Sequence, residues 1–467
     1  MTNKTFIIGI IDGKLHNDEF NIFELDSATA SMFVGYNRLH NQTMEQLIAQ
    51  SIAEFAQNNQ IEKILIEDDL HIKSIINDEK FIRYLNELGK NQFVATIAQF
   101  ENYTNINNTL FLPLNDETLC PLEDLLKKPN TAALNYGGAL YLCFADKAFL
   151  ELFLSRSNSH YPKTQLIHID LALNNKNTLK EFLNLFQHDY VMIKPTNKTL
   201  GHGVTLIAKK QFEAFLNDVV ALQNQLLLLK VFAERYFMGD QTIAKHWLKD
   251  KYMLVQDYVS GVQKDNYDVT GRLVFKITGN MDLSSFNWQI IGCYWKLPRE
   301  PQTNPALTAN NTISYIYETA EENVSIMMTK DEQIKIEKSL AHTLLPLISK
   351  ILTTNVSDLI NEFLADGSFL HLTYCMNTIN RYLSEKQKLV LLDKLQDIYR
   401  TTDNITEQQV IISSVLNQMW YPFSEKSFEF MRKIISRKDP KINEFIRKLT
   451  KESNLLNMTE ILFTEND

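Results

Sequence analysis

The sequence predicts a mixed chain of α+β and α/β character in three parts: an N-terminal α/β domain over 1–133, an α+β domain over 134–383 and a helical bundle over 384–467. Three observations predict it. Strand-like and helix-like segments alternate through roughly the first 125 residues, the pattern of a layered α/β domain. Seven of the 14 glycines (Gly201, Gly203, Gly239, Gly261, Gly271, Gly279 and Gly292) crowd into 201–292, which concentrates turn-rich β structure there. Beyond Gly292 only Gly367 remains while helix-capping patterns recur, so the tail reads as helical. At 467 residues the chain also exceeds the ~250–300 at which one core stops growing.

Taken in order, residues 5–11 form an apolar first strand, too short for a signal-peptide core and lacking a small-residue cleavage site. Residues 43–58 read as a helix with Met44, Leu47, Ile48, Ile52 and Phe55 on one face. Lys63–Glu67 and Phe93–Ile97 are strands, and 110–114 closes the series. A second segment begins near Leu134, with a helix over 145–156. Then an apolar strand, 190–194, delivers Lys194 into a turn at Pro195, and a loop holding Gly201, His202 and Gly203 leads into a second apolar strand. The segment 252–259 is a strand running into a polar hinge, and 267–275 pairs by pattern with 288–298. In the tail, Ser384 with Gln387 and Thr406 with Gln409 have the spacing of capping boxes, and Asp439-Pro440 opens a further helix. The apolar positions of these helices are core positions of a small bundle.

Composition excludes several function classes. A net charge of −9 with scattered signs offers no basic stripe for DNA or RNA. No window approaches the ~18 apolar residues of a membrane span, so neither membrane nor nucleic acid is expected as a partner. Cys120, Cys143, Cys293 and Cys375 lie far apart without zinc spacing, and they read as reduced, mostly buried thiols of a cytoplasmic protein.

Four features carry chemistry, in a fixed order. Asp146-Lys147 opens a helix that ends before His160 and Lys163. The Lys194 strand and its Gly201/Gly203 loop have the form of a phosphate-gripping hairpin: glycines allow close backbone approach, so amide N–H groups meet an anion while the lysine adds charge. The strand and hinge 252–261 follow, and then the strand pair bearing Asp268, Arg272 and Lys296, the last two able to face one cleft. Two lysines, an arginine and backbone amides are a set suited to the negative oxygens of phosphoryl transfer. Against this stand plainer readings of each residue: a hairpin with an exposed lysine, solvated helix lysines at Lys147 and Lys163, and cross-strand surface charges at Arg272 and Lys296.

In this order and spacing, about 140–380 resembles the ATP-grasp superfamily, and within it carboxylate–amine ligases such as D-alanine–D-alanine ligase, glutathione synthetase and ribosomal-protein glutamate ligases. The resemblance implies ATP and Mg2+ as cofactors, with ATP sandwiched between two α+β subdomains. It implies phosphate contacts from Lys147 and Lys194, and a lid over 196–203 including Gly201, His202 and Gly203. Gln256, Asp257, Tyr258 and Val259 would form the adenine-binding hinge, Asp268 would join the nucleotide-contacting set, and Arg272 and Lys296 would stand at an acyl phosphate. The chain departs from the family at the metal strand, where Thr373 and Cys375 occupy the positions of the usual glutamate and asparagine, and such donors suit magnesium poorly. A shifted register would use Asn377 with Glu362 or Asp366 as metal ligands. Alternatively ATP and water hold the metal, or nucleotide binds without chemistry. The stretch 369–383 also admits a helix in place of that strand.

The resemblance therefore implies an ATP-dependent ligase that joins a carboxylate to an amine through an acyl phosphate, acting on a small molecule or peptide. The alternative is a nucleotide- or peptide-binding protein on a degenerate scaffold, its C-terminal helices docking a protein partner. A structural scaffold with no nucleotide site is the third reading.

Overall fold

A computed structural model describes residues 4–27, 33–67, 78–89, 92–97, 100, 106–113, 125–155, 161–174, 176–196, 203–280, 286–302, 307–313, 325–355, 358, 361, 369–374, 376–377, 385–418, 431–435 and 439–452. The chain is mixed α/β, with several sheets and a helical C-terminal region. It divides into two compact units, 1–166 with 180–354, and 167–179 with 355–467.

The strands in chain order are β1 (Lys4–His16), β2 (Glu19–Ser27), β3 (Lys63–Glu67), β4 (Phe93–Ile97), β5 (Thr109–Leu112), β6 (Ala132–Ala133), β7 (Thr164–His168) and β8 (Tyr190–Pro195). They continue as β9 (Thr205–Ala208), β10 (Tyr252–Asp257), β11 (Gln263–Lys264), β12 (Tyr267–Asp268), β13 (Thr270–Asn280), β14 (Phe286–Lys296) and β15 (Ser325–Ile326).

A layer of four parallel strands, β4–β3–β5–β6, forms within the first unit as the alternating pattern predicts. The helix Met44–Asn58 starts in a complete capping box between Thr43 and Gln46, and it buries Ile48, Ile52 and Phe55. These side chains share one core with Ile64 and Ile66 of β3, Leu110 and Leu112 of β5, and Phe81 and Leu85 of the helix Glu79–Leu88.

The expected first strand belongs elsewhere. It runs on to His16 and pairs along one edge with β2 and along the other with β13, in a five-stranded sheet of order β15–β14–β13–β1–β2. Two local devices favour this. Asn17 and Asp18 take φ of 49° and 64°, the left-handed pair needed by a two-residue hairpin turn. Gly9 leaves room for the Phe275 ring, which a Cβ there would meet at 2.6 Å. Phe6, Ile8 and Ile10 still project into the core of the parallel layer, and Phe6 stacks on Phe55 at 4.2 Å between ring centroids.

The hairpin around Lys194 forms as expected: β8 pairs antiparallel with β9, and with β10 on its other edge, in a sheet of order β7–β10–β8–β9. The expected pairing of the Arg272 and Lys296 strands is β13 with β14, Thr270 opposite Lys296 and Arg272 opposite Tyr294.

In the second unit Phe369–Tyr374 is helical, so the helix alternative holds there and those residues do not supply the family's last strand. The helices Glu385–Thr401, Ile405–Gln418 and Pro440–Glu452 follow. Asp439 caps the last as expected, accepting from Lys441 N and Ile442 N. The capping box at Thr406 is corrected: the helix begins at Ile405 with its cap two residues before Thr406, where the Asn404 side chain accepts from Thr406 N at 3.0 Å and Glu407 N at 3.4 Å. An asparagine just ahead competes better for those N–H groups than a threonine inside the first turn. Ser384 lies outside the described residues. Among the described residues no helix is long and apolar enough to cross a membrane. Cys143 and Cys293 are free and buried, and burial pushes both thiols up, Cys293 to about 12, which leaves them unreactive; Cys120 and Cys375 lie outside the described residues.

Candidate functional site

Alternation along β1 puts Ile10, Asp12 and Lys14 on one face of the five-stranded sheet, so the face that starts in the apolar core turns polar toward its end. Asp12 lies opposite Arg272 on one side and Glu24 on the other. Its buried carboxylate accepts from Arg272 Nε at 2.8 Å, Arg272 Nη2 at 2.7 Å and Lys296 Nζ at 2.6 Å. Burial opposes ionisation of Asp12, but the guanidinium and ammonium outweigh it and hold the carboxyl well below the usual carboxylate range. Beside this cluster Lys14 pairs with Asp268. The Asp268 carboxylate also accepts from the Tyr258 hydroxyl at 2.7 Å and Gly261 N at 2.8 Å.

Facing these groups are Lys194, near the end of β8, and Lys147, the first residue of the helix Lys147–Ser155. Asp146 starts that helix by accepting from Ala148 N at 2.8 Å, and Lys147 N donates to Thr196 O at 3.0 Å, which ties the helix start to the end of β8. Both lysines thus line one cavity of about 80 Å³, together with Asp12, Lys14, Glu24 and Arg272. Five cationic side chains and three carboxylates line it, so the wall favours anions.

The two lysines differ in their partners. Lys147 pairs with Glu24 at 3.1 Å. Lys194 is buried, donates to Gln256 Oε1 at 2.6 Å, lies 5.3 Å from the centroid of the Phe23 ring, and makes no direct ion pair among the described residues. Burial pushes its ammonium down to about 7, nearby Lys147 adding to the effect and Glu24 opposing it. Asp26 shows the inverse: burial, reinforced by Glu24, pushes its carboxyl up to about 7.

Of the residues predicted from sequence, Lys147, Lys194, Gln256, Asp257, Tyr258, Val259, Arg272 and Lys296 all line this cavity. Several are already engaged. Arg272 and Lys296 are bound to Asp12, and the Asp257 carboxylate accepts from Gln187 N at 2.9 Å and His188 N at 3.2 Å. Asp268 holds Lys14 and Tyr258 in place. Gly203 is a structural residue: its φ is +74°, its carbonyl accepts from Trp247 Nε1 at 2.9 Å, and a Cβ there would lie 2.6 Å from the Pro195 ring. The Lys163 side chain is exposed. Gly201, His202, Glu362 and Asp366 lie outside the described residues. Asn377, in the second unit, donates its amide to Thr373 O at 2.9 Å and Ser414 Oγ at 2.8 Å.

The described residues do not fit a magnesium site. None of them form a group of three or more metal-donor side chains, and the carboxylates in the cavity wall are engaged by Arg272, Lys296, Lys147 and backbone amides.

Sequence reasoning missed Asp12, Lys14, Glu24 and Asp26. A signal was present: charged residues at alternate positions, 12 and 14, then 24 and 26, in two apolar strands joined by Asn17-Asp18.

No family model matches the chain, and no curated protein matches it. Among solved structures, it is similar to a glutathione synthetase-like effector from Globodera pallida in its apo form, with 12% identity, covering 63% of this chain and 74% of that one at a TM-score of 0.33. It is also similar to D-cycloserine synthetase DcsG, with 12% identity, covering 61% of this chain and 81% of that one at a TM-score of 0.30.

Proposed function

We propose that the cavity binds the phosphates of ATP and that the protein is an ATP-dependent ligase of the carboxylate–amine type. The observation that carries this is the Lys194 ammonium, buried against an aromatic ring and one amide oxygen without a direct counter-ion among the described residues. A lysine held this way is stabilised by an anion that enters the cavity, and Lys147 stands ready on the same wall. A cavity of this size suits a phosphoryl-sized group, so base and ribose would lie along Gln256–Val259, as the resemblance to the ATP-grasp ligases implies.

In this reading a substrate carboxylate attacks the γ-phosphorus, the bond to the β–γ bridging oxygen breaks, and ADP leaves with its charge offset by Lys147 and Lys194. The Asp12–Arg272–Lys296 cluster keeps one net positive charge toward the acyl phosphate. An amine then attacks the acyl carbon, and phosphate leaves.

A second reading is nucleotide binding without ligation, and the engagement of Arg272 and Lys296 by Asp12 favours it. Calorimetric titration with ATP tests the shared part: Lys194→Met is expected to lose most of the affinity, and tight binding in that variant overturns both readings. ADP release on adding pooled amino acids and short peptides then separates the ligase from the binder.

A further inference from the structure

On β2, Glu24 and Asp26 are two residues apart and so share the sheet face that carries Asp12. Glu24 lines the cavity and is held by Lys147. Asp26 comes next along the strand and is only 8% exposed. Its Oδ1 accepts the N–H of Ser27 at 2.7 Å, while its buried Oδ2 has no hydrogen-bond partner among the described residues. Buried polar atoms are rarely left so, and an orphaned carboxylate oxygen two residues along the strand from cavity-lining Glu24 is an acceptor waiting for a donor. The charged groups that bear on Asp26 are Glu24, Lys147 and Arg272. Arg272 is committed to Asp12 and Lys147 to Glu24. When a triphosphate draws Lys147 away, Glu24 and Asp26 on one strand face lose the one direct ion pair they make among the described residues, and only the more distant charges of Lys194, Arg272 and Lys296 remain. A primary ammonium, a compact cation with three N–H donors, satisfies such a pair.

We propose that Glu24 and Asp26 form the binding site of the amine co-substrate, which enters as a primary ammonium after ATP, and that Asp26 removes its proton. The inference rests on the ligase reading above. The proton passes from the ammonium nitrogen to Asp26 Oδ2 and frees the nitrogen lone pair. That pair forms the C–N bond at the acyl carbon, the C–O bond to phosphate breaks with its electrons going to the phosphate oxygen, and the nitrogen's second proton leaves with the phosphate. Burial, which pushes Asp26 up to about 7, suits it to take up and return a proton near neutral pH. The order of binding follows from Lys147, which occupies Glu24 until phosphate competes for it.

The test is thermal unfolding of the full-length protein in n-butylammonium chloride against sodium chloride at equal ionic strength, with and without saturating ATP. Butan-1-ol serves as the uncharged control. An ammonium-specific rise in Tm is expected only with ATP present, and its apparent affinity is expected to weaken about tenfold or more in both Asp26→Asn and Glu24→Gln. In the unaltered protein the ammonium response strengthens between about pH 6 and 8 as Asp26 ionises, and Asp26→Asn removes that step. An ATP-induced rise with no ammonium response, or a response that survives either substitution, overturns this inference and leaves ATP binding standing. Absence of any ATP-induced rise in the unaltered protein removes the ATP reading and this inference together.

Discussion

Lys194 is the residue on which the site turns, and its burial makes two expectations quantitative. A charge-assisted contact to phosphate is worth ~1.5–3 kcal/mol, so Lys194→Met is expected to weaken ATP binding by roughly 10–100-fold in calorimetry. Because burial holds the free ammonium near 7 and bound phosphate raises it again, ATP binding takes up a proton above that pH. The affinity is therefore expected to fall by up to about tenfold per pH unit above 7, and to lose this dependence in Lys194→Met; titration across pH checks both. Asp26 allows a matching stability measurement. Its folded carboxyl is raised from an ordinary 3.8 to about 7, so folding takes up a proton between those values, and the destabilisation grows as pH rises through that window. Asp26→Asn is thus expected to stabilise the unliganded protein by roughly 1–3 kcal/mol at about pH 8, and by almost nothing near pH 4, in chemical denaturation.

At the scale of elements, the hairpin of β1 and β2 brings Asp12 to Arg272 and Lys296, and it tolerates little change. Asp12→Asn leaves two buried cations short of their carboxylate and is expected to cost about 3–5 kcal/mol, read as a lowered denaturation midpoint. Gly13 is nearly as constrained, since a Cβ there would lie 2.3 Å from the Asn21 carbonyl oxygen. Gly13→Ala is expected to force the strands apart at a cost of roughly 1–3 kcal/mol and to weaken ATP binding with it; an unchanged melting temperature would count against the packing described. Elements whose signals are local were legible in the sequence. The helix that starts at Thr43 and the Asp439 cap formed where propensity and pattern put them, because their hydrogen bonds close within a few residues. Thr406 was misread because a better acceptor, Asn404, stood two residues away.

On the scale of the whole molecule, the units are not continuous in sequence. The segment 167–179 belongs with 355–467, and its helix Ile169–Asn174 packs with the helix Ile405–Gln418. A chain ended at Thr354 would keep that helix without its partner. Such a truncation is expected to aggregate or to elute heterogeneously in size-exclusion chromatography, and a monodisperse, cooperatively melting product would contradict the division into units.

The sequence by itself determined the mixed α/β class, the helical tail, the glycine-bearing hairpin of Lys194 and the pairing of the strands that carry Arg272 and Lys296. Each follows from periodicity, turn chemistry and capping, whose forces act over a few residues. Only the tertiary structure decided which charges meet. It set Asp12 against Arg272 across 260 residues of chain, bound Lys147 to Glu24, and left Lys194 and Asp26 buried without direct counter-ions among the described residues. The physical reason is that a side chain's charge state depends on burial and on neighbours brought in by sheet edges far apart in sequence, and no local pattern encodes which edges join.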